Sequence, residues 1–241
     1  MNLAIIGYGK MGKTIEQIAA QRGHNVALII DSKNANDFSV EMLKEHNIDA
    51  AIEFSTPNSV IRNINTCFDA HIPVIVGTTA WEEEEVTIRK RTMEERQSIF
   101  TASNFSIGMN ITFELNRKLS KWMNDVEGYN VKIEEIHHTE KLDSPSGTAI
   151  TLANDTIKAL DQKSKWINEP QQSEEQIAIQ SIRAPKVPGT HTVSFNSDID
   201  EISIKHQAHN RDGFAKGAIV AAEWMLGKVG FFGMNDLLKF N

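Results

Sequence analysis

The sequence contains a single cysteine, Cys67, in 241 residues. One cysteine cannot close an internal disulfide or supply a multi-cysteine zinc site. Cys67 sits among Ile64, Thr66 and Phe68 in a helical pattern and reads as a buried bystander. A basic excess is also missing. Lys and Arg total 25 against 32 Asp and Glu, a net charge of −7. The chain therefore lacks the positive field of a general nucleic-acid surface, and no nucleic-acid partner is expected. No apolar run approaches the roughly 18 residues of a membrane span, so no membrane partner is expected either. Repeats and low-complexity tracts are absent. The first strand pattern opens at Asn2, leaving no room for a signal peptide. What remains is a composition of 40% hydrophobic and 24% charged residues, which suits a globular protein and not a disordered one. The expectation is a reduced cytoplasmic protein of one large domain or two small ones.

The first half alternates strand and helix patterns. Asn2 to Ile6 is a short apolar run that reads as a strand buried on both faces. Met11, Ile15, Ile18 and Ala19 then follow helical spacing up to Arg22, and Gly23 is a natural stop. Val26–Ile30, Ala50–Phe54, Pro73–Val76 and Ser98–Ala102 read as further strands. Pro57–Ala70 and Trp81–Arg96 read as helices between them. This alternation predicts a Rossmann-like, doubly wound parallel sheet.

Between the first strand and helix stands Gly7-Tyr8-Gly9-Lys10-Met11-Gly12, a GxGxxG sequence. Its context gives it meaning, because Asp31 closes the second strand 19 residues after Gly12. The glycines suit a tight turn, a close approach by a pyrophosphate and close helix–strand packing, and the helix start offers free N–H groups. Asp31 suits adenosine ribose hydroxyls. Lys10 and Lys33 are cations placed to meet phosphate, including a 2′-phosphate. Two more loops follow strand ends, where a dinucleotide would lie: Gly77-Thr78-Thr79 and Ala102-Ser103-Asn104-Phe105.

The second half changes character. A long helix is predicted over Gly108–Asn124. Strands follow at Tyr129–Ile136, Gln176–Ile182, Thr190–Phe195 and Glu201–His206, and a last helix at Gly213–Leu226. Ile202, Ile204 and His206 alternate with Ser203 and Lys205, as in a sheet with one face exposed or used for assembly. The polar stretch Lys163–Glu175, which contains Pro170, reads as a mobile connection. Residues 1–106 with 211–241 are expected to form the dinucleotide-binding domain. Residues 107–210 are expected to form an α+β substrate-binding and assembly domain with a mixed open sheet.

The segment Glu134 to Thr148 carries the chemistry. A strand ends in His137-His138, Lys141 follows, and Ser144-Pro145-Ser146-Gly147-Thr148 opens a helix predicted over Thr148–Leu160. Imidazole can donate or accept a proton near neutral pH. Lysine can hold a carboxylate, and Ser146, Gly147 and Thr148 at a helix start form an anion cradle. Together they describe a site for a small acidic substrate that needs a proton. A metal site is disfavoured, because the vicinal histidines lack the usual spacing and a third ligand.

These residues resemble the 4-hydroxy-tetrahydrodipicolinate reductase (dihydrodipicolinate reductase) family. The family pattern Glu-x-His-His-x-x-Lys-x-Asp-x-Pro-Ser-Gly-Thr-Ala is filled from Glu135 through Ala149. Gly7 to Gly12, Glu53-Phe54-Ser55 with Pro57, Gly77-Thr78-Thr79, Ser103 to Gly108, and Arg211 before Phe214 extend the likeness along the chain. Two departures stand out. Glu53 replaces a frequent aspartate, and Arg183 to Gly189 lacks a glycine soon after the arginine, which concerns the shape of that loop. The resemblance implies reduction of a cyclic dicarboxylate with NADPH or NADH, in diaminopimelate and lysine biosynthesis, by a homotetramer. It implies His137 as proton donor. It implies His138, Lys141, Ser146, Gly147, Thr148 and Arg211 around the substrate. The cofactor would be held by Gly7 to Gly12, Asp31, Lys33, the Gly77 to Thr79 loop and the Ser103 to Phe105 loop.

Overall fold

The computed structural model describes residues 1–169 and 173–240, which form two compact units. The first comprises 1–107 and 211–241, the second 108–210. In chain order the first unit contains β1 (Asn2–Ile6), α1 (Lys10–Gln21), β2 (Asn25–Ile30), α2 (Val40–Glu45), β3 (Ala50–Glu53), α3 (Pro57–Asp69), β4 (Val74–Val76), α4 (Glu82–Glu94) and β5 (Ser98–Thr101). The helix α5 (Ile107–Met123) leads into the second unit, which continues with β6 (Asn130–His137), α6 (Gly147–Ala159), β7 (Lys165–Ile167), β8 (Gln176–Arg183), β9 (Gly189–Asn196) and β10 (Glu201–Ala208). The chain then returns to the first unit as α7 (Asp212–Met225), β11 (Gly230–Phe232) and α8 (Met234–Leu238).

The first unit is a six-stranded parallel sheet in the order β11-β5-β4-β3-β1-β2. Its strands are apolar on both faces because both faces are covered. Leu3 and Ile5 of β1 pack with Ile15 and Ala19 of α1 and with Ala218 and Ala222 of α7. The alternate residues Ala4 and Ile6 pack on the other side with Val60, Ile64 and Phe68 of α3. Cys67 lies fully buried in that second layer. After β1 the chain moves outward to β2, then returns to lay β3 on the other side of β1. Neighbouring loops at the carboxyl ends of β1 and β3 therefore diverge, leaving the crevice in which open α/β sheets bind ligands.

The second unit is a mixed five-stranded sheet in the order β10-β9-β6-β8-β7. β6, β8 and β7 run parallel, while β9 and β10 run antiparallel to their neighbours. Met109 and Phe113 of α5 and Leu152 and Ala153 of α6 cover the face carrying Val131, Ile133, Ile179, Val193 and Phe195. β7 occupies part of the stretch expected to be a connection. Trp166 pairs with Ile177 and packs on the core, and a three-residue strand is too short to show periodicity. Pro170 lies outside the described residues. The short elements α2, β11 and α8 also carry too few residues for a readable period. No described helix is long and apolar enough to cross a membrane.

Candidate active site

The glycine loop of the first unit joins β1 to α1. Gly7 has φ +95°, and a Cβ there would lie 2.1 Å from the Phe54 carbonyl oxygen. Any other residue would meet both backbone strain and a clash. Gly9 is different. It is exposed, its φ is −83°, and a Cβ would meet no atom within 4 Å. As N-cap of α1 it offers no side-chain capping bond, and the first turn holds no acidic residue. The helix start is thus open at Gly9 and carries the positive end of the helix dipole with no side-chain cap or carboxylate to neutralise it. Gly12 is buried, packed so closely that a Cβ would lie 2.4 Å from the Gly7 oxygen. Tyr8 donates its hydroxyl hydrogen bond to Glu16. Lys10 is exposed, and Met11 packs partly against the core.

Asp31 follows β2 and is fixed by its own turn. Its Oδ1 accepts the Lys33 amide at 2.8 Å, while its amide donates to Asn34 Oδ1 at 2.8 Å. The Lys33 side chain is exposed. At the end of β4, Gly77 lies against the Phe54 ring, and Thr78 Oγ1 accepts the Ser55 amide at 2.8 Å. Thr79 is exposed. After β5, Ser103 is exposed, Asn104 Oδ1 accepts the Ser106 amide, and Phe105 is buried between Phe54 and Phe100. Beneath these loops Glu53 is fully buried. It accepts from the Ser55 hydroxyl and from Asn63 Nδ2 at 3.1 Å, and burial pushes its carboxyl pKa up. These loops all leave the carboxyl ends of strands in one sheet, and the residues present fit a bound dinucleotide.

In the second unit the strand period decides which side chains meet. Val131, Ile133, Glu135 and His137 share the helix-covered face of β6. Register places Ser181 of β8 and His191 of β9 on either side of Glu135, with His206 of β10 beyond His191. Glu135 is fully buried and engaged from several directions. It accepts the Ser146 amide at 3.0 and 3.1 Å and the Ser181 hydroxyl at 2.8 Å. His137 Nδ1 stands 3.3 Å from Oε2, Arg183 3.6 Å from Oε1 and His191 Nε2 3.8 Å from Oε2. Burial alone would raise the carboxyl pKa. The neighbouring His137, Ser146 and Ser181 outweigh it and hold Glu135 at about 2.

The His137 and His191 rings meet edge to face, with centroids 5.0 Å apart. Burial, followed by the nearby His137, pushes His191 down to about 4, so its imidazole is neutral at neutral pH. His191 Nε2 lies 3.2 Å from Ser146 Oγ, which also caps α6 by accepting the Ala149 amide at 3.2 Å. Gly147 is exposed at the start of α6, with nothing within 4 Å of its Cβ position, and Thr148 is half-buried beside it. Lys141 is half-buried and pairs with exposed Asp143 at 2.8 Å. His138 lies one residue past the end of β6, and its carbonyl accepts the Lys141 amide. Arg211 is exposed at the N-cap of α7, in the first unit.

Glu135 is legible in the sequence only as the head of the motif, and Ser181 and His191 are not marked at all. The Glu-x-His spacing of β6 signals that Glu135 and His137 share a face, but Ser181 and His191 arrive through cross-strand register alone. Nor does the vicinal histidine pair describe the grouping. His137 is accompanied by Glu135 and His191, whose ligand atoms and its own all lie within 4.8 Å, so a third potential ligand exists after all. Both Glu135 oxygens already accept hydrogen bonds from the protein, as expected of a hydrogen-bonded network. Between β8 and β9 the loop lacking a glycine still contains a left-handed residue, Lys186 at φ +62°.

Two family models match the chain. Dihydrodipicolinate reductase, N-terminus, covers residues 1–105, and dihydrodipicolinate reductase, C-terminus, covers 108–238. The 4-hydroxy-tetrahydrodipicolinate reductase of Christiangramia forsetii is 46% identical over 239 residues, covering 99% of this chain and 98% of that protein. The enzyme of the same name from Thermosipho africanus is 34% identical over 241 residues, with coverage of 99% and 98%. Among solved structures, a dipicolinate-bound dihydrodipicolinate reductase from Paenisporosarcina sp. TG-14 shares the fold. Its TM-score is 0.80, with 20% identity and 97% of each chain covered.

Proposed function

This chain belongs to the dihydrodipicolinate reductase family, and from that premise we propose that it reduces 4-hydroxy-tetrahydrodipicolinate to tetrahydrodipicolinate with NADPH or NADH, in the cytoplasm, for diaminopimelate and lysine biosynthesis. The observation that carries the reading is that one buried carboxylate, Glu135, stands beside His137 and holds the start of α6, where Gly147 is exposed, in one unit of a chain whose other unit has a glycine loop open at Gly9.

The nicotinamide, when bound, supplies the hydride that reduces the ring. The protein's own residues hold and orient the reactants. The N–H groups after Gly9 take the pyrophosphate, Asp31 takes ribose hydroxyls, and Lys33, with Lys10, offsets the repulsion of a 2′-phosphate by Asp31. Tyr8, Met11 and the Gly77–Thr79 and Ser103–Phe105 loops complete the cofactor site. The N–H groups at Gly147 and Thr148 hold one substrate carboxylate, with Ser146 capping the helix behind them. Lys141 exchanges its exposed partner Asp143 for the other carboxylate, and His138 and Arg211 assist. The substrate's 4-hydroxyl departs as water, and His137 delivers the proton to the ring carbon next to C4, the carbon that receives hydride. Fixing ring and acid together lowers the barrier by several kcal/mol on the order expected for orientation.

We place the site in a homotetramer. Helices α5 and α6 cover one face of the second sheet, and the other face, with Lys132, Glu134 and Thr192, awaits a covering that a second sheet would provide. A direct biological test is rescue of a diaminopimelate auxotroph that lacks its own reductase. Growth without added diaminopimelate supports the assignment. Failure of a soluble, expressed chain to rescue counts against it.

A further inference from the structure

Resting on the reading of His137 as proton donor, we propose that Glu135 is the positioning residue of the site: a single buried carboxylate that aims the His137 imidazole and anchors the substrate-holding end of α6. Four observations meet at this side chain. It is fully buried at the end of β6. Its Oε2 lies 3.3 Å from His137 Nδ1. Both oxygens accept the amide of Ser146, the N-cap of α6. Ser181 Oγ holds it from the neighbouring strand at 2.8 Å, so the carboxylate does not swing.

The chemistry follows from the placement. With Nδ1 turned toward a carboxylate, the Nδ1–H form of the imidazole is favoured, and Nε2 is the nitrogen that delivers the proton. Nε2 borders Gly189, whose missing side chain would otherwise stand 3.1 Å away. In the transfer, the Nε2–H bond breaks and a carbon–hydrogen bond forms on the substrate. His137 passes from imidazolium to the neutral Nδ1–H tautomer, and Glu135 stays ionised throughout. The 3.3 Å contact is oblique, with no well-formed hydrogen bond at Nδ1. Catalytic contacts of this kind commonly tighten when ligand binds. His191 packs edge-on against His137 and touches the Ser146 hydroxyl, closing the other side of the network. The same carboxylate thus sets the acid and the anion cradle in fixed relation, which neither motif residue does alone.

The test is a double-mutant cycle with Glu135→Gln and His137→Gln, read as kcat and KM together with the dissociation constants of NADPH and dipicolinate. Glutamine keeps the size of Glu135 but presents an N–H to one of its partners. Glu135→Gln alone should lower kcat about 10- to 100-fold, part of the general-acid contribution, with NADPH binding unchanged. In the His137→Gln background the same change should lower kcat less than about twofold, because the group it aims is gone. Ser181→Ala, which removes one hydrogen bond to Glu135, is the milder variant should Glu135→Gln fold poorly. It should show a smaller kcat loss with the same disappearance in the His137→Gln background. Equal, additive losses in both backgrounds would overturn the positioning role. Full kcat in His137→Gln alone would instead overturn the proton-donor reading on which it rests.

Discussion

Lowering pH should cost the second unit stability, and the share contributed by His191 follows from its burial. His191 is 6% exposed on the covered face of β9, and its pKa is pushed from 6.5 down to about 4. Between those values the unfolded chain binds a proton that the folded chain refuses. Its stabilising contribution is therefore complete above 6.5 and is lost as pH falls toward 4. A difference of about 2.5 pKa units corresponds to about 3 kcal/mol at 1.36 kcal/mol per unit. His191→Gln removes the titration and keeps a polar group near Ser146. The variant is destabilised at pH 7 by lost packing, but the gap between it and the natural protein should shrink by about 3 kcal/mol at pH 4. Glu53, whose raised pKa acts with the opposite sign, is present in both proteins and cancels. Hydrogen exchange of β6 and β9 peptides at the two pH values reads this unit by itself. A gap that does not change with pH would refute the reasoning.

Other expectations divide by site. Gly9→Leu fills open space and should fold normally, yet weaken NADPH by more than about tenfold, roughly 1.4 kcal/mol, while dipicolinate binding stays unchanged; calorimetry of both ligands checks this. Lys33→Ala should lower kcat/KM for NADPH about tenfold, the worth of one charge-assisted phosphate contact, and leave NADH nearly untouched; equal losses would remove Lys33 from phosphate recognition. Lys141→Ala should raise KM and lower kcat together, as steady-state kinetics would reveal, because the ring loses both affinity and alignment. Light scattering at micromolar concentration should give the mass of four chains, and a monomer mass would count against the covered second sheet.

Much of the first unit was legible because its strands are buried on both faces. Runs such as Leu3 to Ile6 and Ala50 to Ile52 stay apolar without alternation, and α1 and α3 keep a clear period. The glycine loop was legible for a related reason: the tight positive-φ turn at Gly7 and the close packing at Gly12 admit no side chain. β7, α2, β11 and α8 were not, since three to six residues hold too little periodicity to separate from a loop. In the site, the run from Glu135 to Thr148 announced itself as one segment. The partners that complete it did not. Ser181 and His191 come from strands 46 and 56 residues away from Glu135, and nothing in their local sequence specifies the register that sets them beside it.

The central claim is tested most directly by following NAD(P)H oxidation with substrate generated in place by condensing pyruvate with aspartate semialdehyde, since the compound is too unstable to store. The account predicts rapid loss of both NADPH and NADH that depends on this condensation and is inhibited by dipicolinate. A folded protein that binds NADPH but oxidises it no faster with the condensation product than without it would contradict the assignment.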